Sequence, residues 1–443
     1  MASKWQEIYK TKVMSAEEAV KLIPQGAFIC SPLTNGQPPL ILNAMAKRMA
    51  EGDLRDAEYL CSLAVRFLEL HNPELIAKIN QYNTLDVMYN GPIERYFLNQ
   101  GLYSYVPHRL FDGPMMIERA GGMDVATLTV SPMDQHGFLS TGIHPDYIYG
   151  FIQHSPGCKI LAEVNEHMPR TYGINQFHIS EIDALVENNI PLVPLPEIEM
   201  SDKDDLIGQY IAELVPDGAC LQLGIGTIPN AVAQHLGAKK DLGIHSEMLC
   251  DSMIDLYEQG VITGKKKTLL PKKWVACFAF GSQRLYDFVN ENPMVEMHGA
   301  EFVNDPYNIG LNDNVVSINS TLEIDLTGQC ASEAIGTQMY SGAGGQMDYT
   351  EGAWRSRGGK AFLALYSTYT NKSGEMISRV VPNLAPGSMV TTTRNDVQYI
   401  VTEYGVAYLK GLNMKKRVEE LIRIAHPDFR DQLRFEAKQL KYL

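Results

Sequence analysis

LVPDGACLQLGIGTIPNAV fills residues 214–232, and its opening eight residues echo an earlier stretch, LIPQGAFI at 22–29. Both copies set a Pro-x-Gly turn before a short apolar run, the pattern of a strand entered from a tight turn. A helical stretch precedes each, AEEAVK (16–21) and IGQYIAE (207–213). Each strand then enters a proline-marked loop, SPLTNGQPP (31–39) or GIGTIP (224–229), followed by an amphipathic helix. A second apolar run closes each unit, EYLCSLAV (58–65) or LGIHSEML (242–249). Helix–strand–loop–helix–strand, written twice, predicts two tandem, related open α/β domains with mainly parallel sheets. The proline-punctuated and then acidic stretch PLVPLPEIEMSDKDD (191–205) reads as the linker, giving domains 1–198 and 199–443. In such sheets ligands bind beyond the carboxyl ends of the strands, at helix N-termini. GIGTIP and the end of LGIH therefore belong to one crevice.

The bulk numbers narrow the class. A chain of 443 residues is too long for one ordinary core. With 38 basic against 52 acidic residues the net charge is −14, which speaks against nucleic-acid or anionic-membrane partners. The seven cysteines (30, 61, 158, 220, 250, 277 and 330) are scattered and include no Cys-x-x-Cys pair. That pattern points to a reducing, cytoplasmic setting without a thiolate metal site. The N-terminus has no apolar stretch of signal-peptide length, and no apolar run reaches the roughly 20 residues of a membrane span.

Leu242–His245 reads as a short buried strand, with Glu247 just beyond it in a polar turn. A carboxylate there is either a solvated loop residue or a group placed for chemistry. Gly224-Ile225-Gly226-Thr227-Ile228-Pro229 follows a strand and opens a helix, a place where backbone N–H groups meet an anion. An acidic residue about 20 positions on completes a dinucleotide-like spacing, but Pro229 stands where the third glycine belongs, so a nicotinamide site is disfavoured. SGAGGQMDYTEGA (341–353) exposes backbone at Gly342, Gly344 and Gly345, and Arg355, Arg357 and Lys360 add local positive charge for a phosphorylated ligand. Asn304-Asp305-Pro306 and Asn290-Glu291-Asn292-Pro293 read as ordinary turn formers. His245 invites pairing with Glu247, although a lone histidine at a strand end is more often structural. No zinc-spaced cluster and no Gly-x-Ser-x-Gly elbow is present.

Taken in order, GIGTIPNAV, GIHSEML, INSTLEIDLTGQ (318–329), GAGGQMD, GGK, SRVVP (378–382), VTEYGVAYLKG (401–411) and IAHPDFR (424–430) resemble the acetyl-CoA hydrolase/transferase family of class I CoA-transferases. DQHGF (134–138) and VNEHMPRTYG (164–173) carry the likeness into the first half. The nearest branch is the 4-hydroxybutyrate and butyryl-CoA:acetate transferases. The resemblance implies a CoA-transferase-like fold with Glu247 as nucleophile. It implies that Gly224, Ile225, Gly226, Thr227, Ile228, Leu322, Gly344, Gly345 and Lys360 hold coenzyme A. Gln37 and Asn292 are the implied substrate contacts. The first loop carries Gly36-Gln37-Pro38 where Gly-Glu-Pro is expected. Coenzyme A enters as co-substrate, with no permanently bound cofactor and no metal. The partners are acyl-CoA and short-chain carboxylates, and the assembly is a homo-oligomer, a dimer or larger. A hydrolase using the same glutamate, a nicotinamide-dependent dehydrogenase and a non-catalytic CoA-binding protein are the competing readings.

Overall fold

A turn fixes where each sheet begins. Gly26 adopts φ 68°, a left-handed conformation that glycine enters without steric cost, and its N–H donates to the Arg55 carbonyl at 2.9 Å. The apolar run after it forms the strand Phe28–Leu33. This computed structural model describes residues 4–196, 199–224 and 226–443. The chain divides into two units, Met1–Leu195 with Val275–Val303 and Pro196–Trp274 with Asn304–Leu443.

In the first unit seven strands run in the order Ser104–Tyr105, Thr84–Val87, Glu58–Ser62, Phe28–Leu33, Val125–Val130, Lys159–Val164 and Ala184–Glu187. Every neighbouring pair is parallel. The order reverses beside Phe28–Leu33, the switch point at which open sheets present ligand crevices. The helix Pro39–Ala50 starts on proline and buries Ile41, Leu42, Met45 and Met49 in the main core of this unit. The segment 275–303 joins the unit through backbone bonds from Asp146 to Cys277, Ala279 to Ile143 and Met297 to Tyr172, at 2.9, 3.0 and 2.7 Å.

The second unit repeats the plan. Its strands lie in the order Gly243–Leu249, Cys220–Leu223, Val315–Ser320, Lys360–Ala364, Tyr399–Thr402 and Gly405–Tyr408. In both sheets the next strand in sequence lies on one side of the first, and a later strand returns to the other side. The pairings Cys220–Leu223 with Gly243–Leu249, and on through Tyr399–Thr402, are parallel. Only the closing hairpin to Gly405–Tyr408 is antiparallel. Helix Asp202–Leu214 opens on a Ser201/Asp204 capping box. Helix Gln346–Arg355 packs Tyr349 and Ala353 against Val315 and Ala361 and carries the chain from the carboxyl edge of the sheet back to its amino edge. Among the described residues no helix is long and apolar enough to cross a membrane.

Candidate active site

The strand that carries Glu247 is longer than its sequence suggests. It runs Gly243–Leu249, so Glu247 lies within it and not in a turn. The sequence Ser-Glu looks like a strand stop because polar groups on a buried strand need partners. Here they have them. The Ser246 hydroxyl lies 3.4 Å from both the N–H and the carbonyl of Leu223, and His245 Nδ1 lies 3.3 Å from the Asn312 amide nitrogen. His245 is thereby tied to a buried side chain of the same unit. Leu221 pairs with Ile244, which sets Glu247 level with Gly224 at the carboxyl edge.

Asn304 and Gly345 help hold the Glu247 carboxylate. Asn304 donates its amide to Oε2 at 2.7 Å, and the Gly345 backbone N–H donates as well. Gly345 sits at φ −94°, ψ 11°, a conformation open to any residue, so conformation is not why it is glycine. Space is: a Cβ there would stand 2.0 Å from Glu247 Oε2 and 2.2 Å from Asn304 Nδ2. The protein packed around the carboxyl pushes its pKa above the ordinary glutamate value, and the Asn304 and Gly345 donors only partly offset this. Asn304 is fully buried, and its sequence reading as a turn former missed this role. A signal was present in the tripeptide. Asp305 already caps the following helix by accepting from Tyr307 N–H at 2.9 Å, and Pro306 starts that helix, so the turn leaves Asn304 for other work.

Around this carboxylate the two glycine loops are fastened by side chains. Gly226 adopts φ 126°, ψ −178°, a region reserved for glycine, and a Cβ on it would meet nothing within 4 Å. Gly224 continues the sheet ladder by donating to Ile318 at 3.0 Å. Thr227 and Tyr366 both give their hydroxyls to Asp204 Oδ1, at 2.6 and 2.7 Å, bolting the first turn of helix Thr227–Gln234 in place. Burial alone would raise the Asp204 pKa, but the Thr227, Tyr366 and Ser201 donors outweigh it and hold the carboxyl below its usual range. Ile228 is buried in that helix; Ile225 lies outside the described residues. On the other side, the Gln346 amide donates to the Ser320 carbonyl at 2.7 Å, while its oxygen accepts from Ser332 at 2.7 Å and Thr392 at 3.1 Å. This pins Gly344 (φ 53°) and Gly345 over the end of strand Val315–Ser320. Leu322 follows the same strand end, its N–H donated to Ala331 at 3.0 Å.

Asn304 and Gly345 thus hold a carboxylate between two glycine loops. Residues 2–197 match the acetyl-CoA hydrolase/transferase N-terminal domain, and residues 281–437 match the C-terminal domain. The chain belongs to the acetyl-CoA hydrolase/transferase family. The chain is 42% identical to the succinyl-CoA:cyclohexane-1-carboxylate CoA transferase of Geobacter metallireducens, covering 98% of this chain and 97% of the relative. It is also 42% identical to the 4-hydroxybutyrate coenzyme A transferase of Clostridium kluyveri, covering 98% and 99%. Among solved structures, RipA from Yersinia pestis superposes with a TM-score of 0.92 at 38% identity over 100% of both chains.

Not every expected residue of this family member meets in the crevice. Lys360 opens its strand at the amino edge and donates its ammonium to the Leu214 carbonyl at 2.7 Å. Helix Gln346–Arg355, ten residues or about 15 Å long, separates it from the Gly344–Gly345 loop. Arg355 is paired with Glu351 at 2.7 Å, and Arg357 with Asp313, both arginines well exposed. The positive cluster read from the sequence is therefore spent at the far edge of the sheet. Gln37 and Asn292 belong to the first unit. Gln37 is buried past strand Phe28–Leu33 and donates to the Ser62 carbonyl at 2.9 Å. Asn292 closes a local turn, donating to Phe288 and accepting from Met294 N–H, each at 3.0 Å. Among the described residues no group of three or more His, Cys, Asp or Glu is placed to hold a metal ion.

Proposed function

We propose that Glu247 is the relay through which this CoA-transferase moves coenzyme A between an acyl-CoA and a short-chain carboxylate. The observation that carries the reading is the pair of donors, Asn304 and Gly345 N–H, on a desolvated carboxylate between two glycine loops. The carboxylate oxygen of Glu247 attacks the thioester carbonyl, and the C–S bond breaks to give a mixed anhydride and CoA thiolate. The thiolate attacks the glutamyl carbonyl, forming a glutamyl-CoA thioester and releasing the first acid. An incoming carboxylate attacks that thioester, and the thiolate then takes the new acyl group, restoring Glu247. No oxidant and no net water enters.

When the thiolate attacks the glutamyl carbonyl, negative charge gathers on the oxygen that Asn304 and Gly345 already hold. The same two donors thus serve as an oxyanion hole, each worth about 3–4 kcal/mol in comparable sites. A carboxylate is a weak nucleophile, and its raised basicity together with fixed orientation supplies the compensation. Coenzyme A lies along Gly224–Ile228, Leu322 and Gly344–Gly345 in this reading, as co-substrate without a resident cofactor. Gln37 and Asn292 remain candidates for the carboxylate partner. The reading has the enzyme working in the cytoplasm as a homodimer or larger assembly; its free cysteines, all buried but Cys158, suit a reducing setting.

Steady-state rates with varied donor and acceptor should give parallel double-reciprocal lines. Incubation with acyl-CoA alone should leave a borohydride-reducible thioester on the peptide containing residues 245–248, absent in Glu247→Gln. Intersecting lines without an adduct on that peptide refute the relay. Steady turnover without an acceptor acid would instead mark a hydrolase.

A further inference from the structure

Arg379 lies in the stretch SRVVP and takes no part in the steps above. Its backbone ties two segments at the carboxyl edge of the second unit's sheet. The N–H donates to the Ser367 carbonyl at 2.8 Å, and the carbonyl accepts from Ile324 N–H at 2.9 Å. Ser367 follows strand Lys360–Ala364, and Ile324 follows Val315–Ser320, so Arg379 sits on the side of the sheet where Glu247 lies.

Its guanidinium rests over the Tyr369 ring, 5.3 Å from the centroid. Tyr340, Tyr366 and Glu323 are near enough to act on its charge. Two of these lead directly to the glycine loops. Tyr340 immediately precedes Ser341–Gly345, and the Tyr366 hydroxyl lies 3.4 Å from that of Thr227. The Arg379 Nε is buried and has no hydrogen-bond partner among the described residues, and no carboxylate among them stands within ion-pair distance of the guanidinium. Glu323 is a weak counter-charge: burial pushes its carboxyl pKa up, and one of its oxygens is itself buried without a partner.

A half-buried cation without a paired anion is costly. Lys203, at the same edge, is paired with Glu403 at 3.1 Å. Arg355, Arg357 and Lys360 are spent at the opposite edge. An arginine seated over an aromatic ring presents a fork of N–H donors that suits the oxygens of a phosphate.

We propose that Arg379, seated on Tyr369, grips a phosphate group of coenzyme A and anchors the nucleotide end of the co-substrate beside the Gly224–Ile228 loop. This rests on the CoA-transferase reading above. Coenzyme A offers a pyrophosphate and a ribose 3′-phosphate, and the experiment separates them. Dissociation constants of CoA, 3′-dephospho-CoA and pantetheine are measured by calorimetry, or as competitive inhibition constants where binding is weak, for wild type, Arg379→Gln and Arg379→Lys. Charge-assisted hydrogen bonds of this kind predict that Arg379→Gln weakens CoA about 10- to 100-fold. Arg379→Lys, which keeps the charge but not the fork, should lose less. Pantetheine binding should change less than about 3-fold. A loss that disappears on 3′-dephospho-CoA assigns the 3′-phosphate; a loss that persists there but not on pantetheine assigns the pyrophosphate.

Equal losses on all three ligands would make Arg379 a structural prop and overturn the proposal. So would unchanged CoA binding in Arg379→Gln with an unaltered melting profile. The glutamyl adduct on residues 245–248 separates this outcome from failure of the relay itself. Arg379→Gln should still form that adduct at saturating acyl-CoA. A wild-type enzyme that forms none would refute the relay while leaving the binding comparison intact.

Discussion

Gly345→Ala isolates one contact. Because Gly345 has φ −94°, alanine fits its backbone without strain, so the substitution acts only through the added methyl. That methyl would stand 2.0 Å from Glu247 Oε2 and 2.2 Å from Asn304 Nδ2, against about 3.5 Å for an ordinary contact. Either the carboxylate or the loop must therefore retreat by more than about 1 Å. A shift of that size in a reacting group costs roughly 100-fold, and the loss of one oxyanion donor alone costs about as much. We expect kcat to fall at least about 100-fold in a CoA-exchange assay, with little change in melting temperature. Gly344→Ala differs in kind: at φ 53° alanine adds backbone strain of about 1 kcal/mol, which should lower the melting temperature. A Gly345→Ala enzyme within about 3-fold of wild-type kcat, correctly folded, would show that Glu247 and Gly345 do not work as a unit.

Further outcomes follow from the same geometry. The proposed relay needs ionised Glu247, and since its pKa is raised, the acid limb of the kcat/KM profile should lie above the ordinary glutamate value of about 4.3; a limb below it contradicts the desolvated carboxylate. Asn304→Ala removes a donor that favours the charged form, so it should move that limb higher and reduce kcat by about 10- to 100-fold; pH–rate profiles of the two enzymes decide it. A raised carboxyl favours the folded state fully below its unfolded pKa and loses that advantage as pH rises through the folded value. Glu247→Gln should therefore melt no lower than wild type at neutral pH, and calorimetry showing a drop of several degrees would count against this. Gly226→Val places a branched residue at φ 126°, with a strain of about 1–3 kcal/mol, and should raise the KM for acyl-CoA; an unchanged KM in a folded variant removes that loop from the CoA path.

The repeat LIPQGAFI/LVPDGACL made the architecture legible, because a Pro-x-Gly turn before an apolar run is a local signal and both sheets begin on one. The glycine loops were legible for the same reason. Glu247 could be singled out but not its setting, since the bonds that let Ser246 and Glu247 remain in a strand come from Leu223, Asn304 and Gly345, distant in sequence. Asn304 was hidden by a tripeptide that makes a good turn on its own. The basic cluster at 355–360 misled because charge is read along the chain, whereas helix Gln346–Arg355 carries those residues to the far edge of the sheet. Arg379 was visible only as part of SRVVP, a motif that says nothing about what its side chain faces.

The path of the chain has a consequence for how the protein is made. Val275–Val303 is part of the first unit, yet it is synthesised after the opening strands of the second. On the ribosome the first unit cannot close when Leu195 emerges. It must wait for roughly a hundred more residues, which at about 5–20 residues per second is a delay of several seconds to about 20 s. During that interval the surface awaiting Cys277, Ala279 and Met297 stands open in the nascent chain, and the second unit must wait longer still, until Leu443 is made. Cutting the chain at the boundary near residue 196 would leave the N-terminal fragment missing a piece of itself.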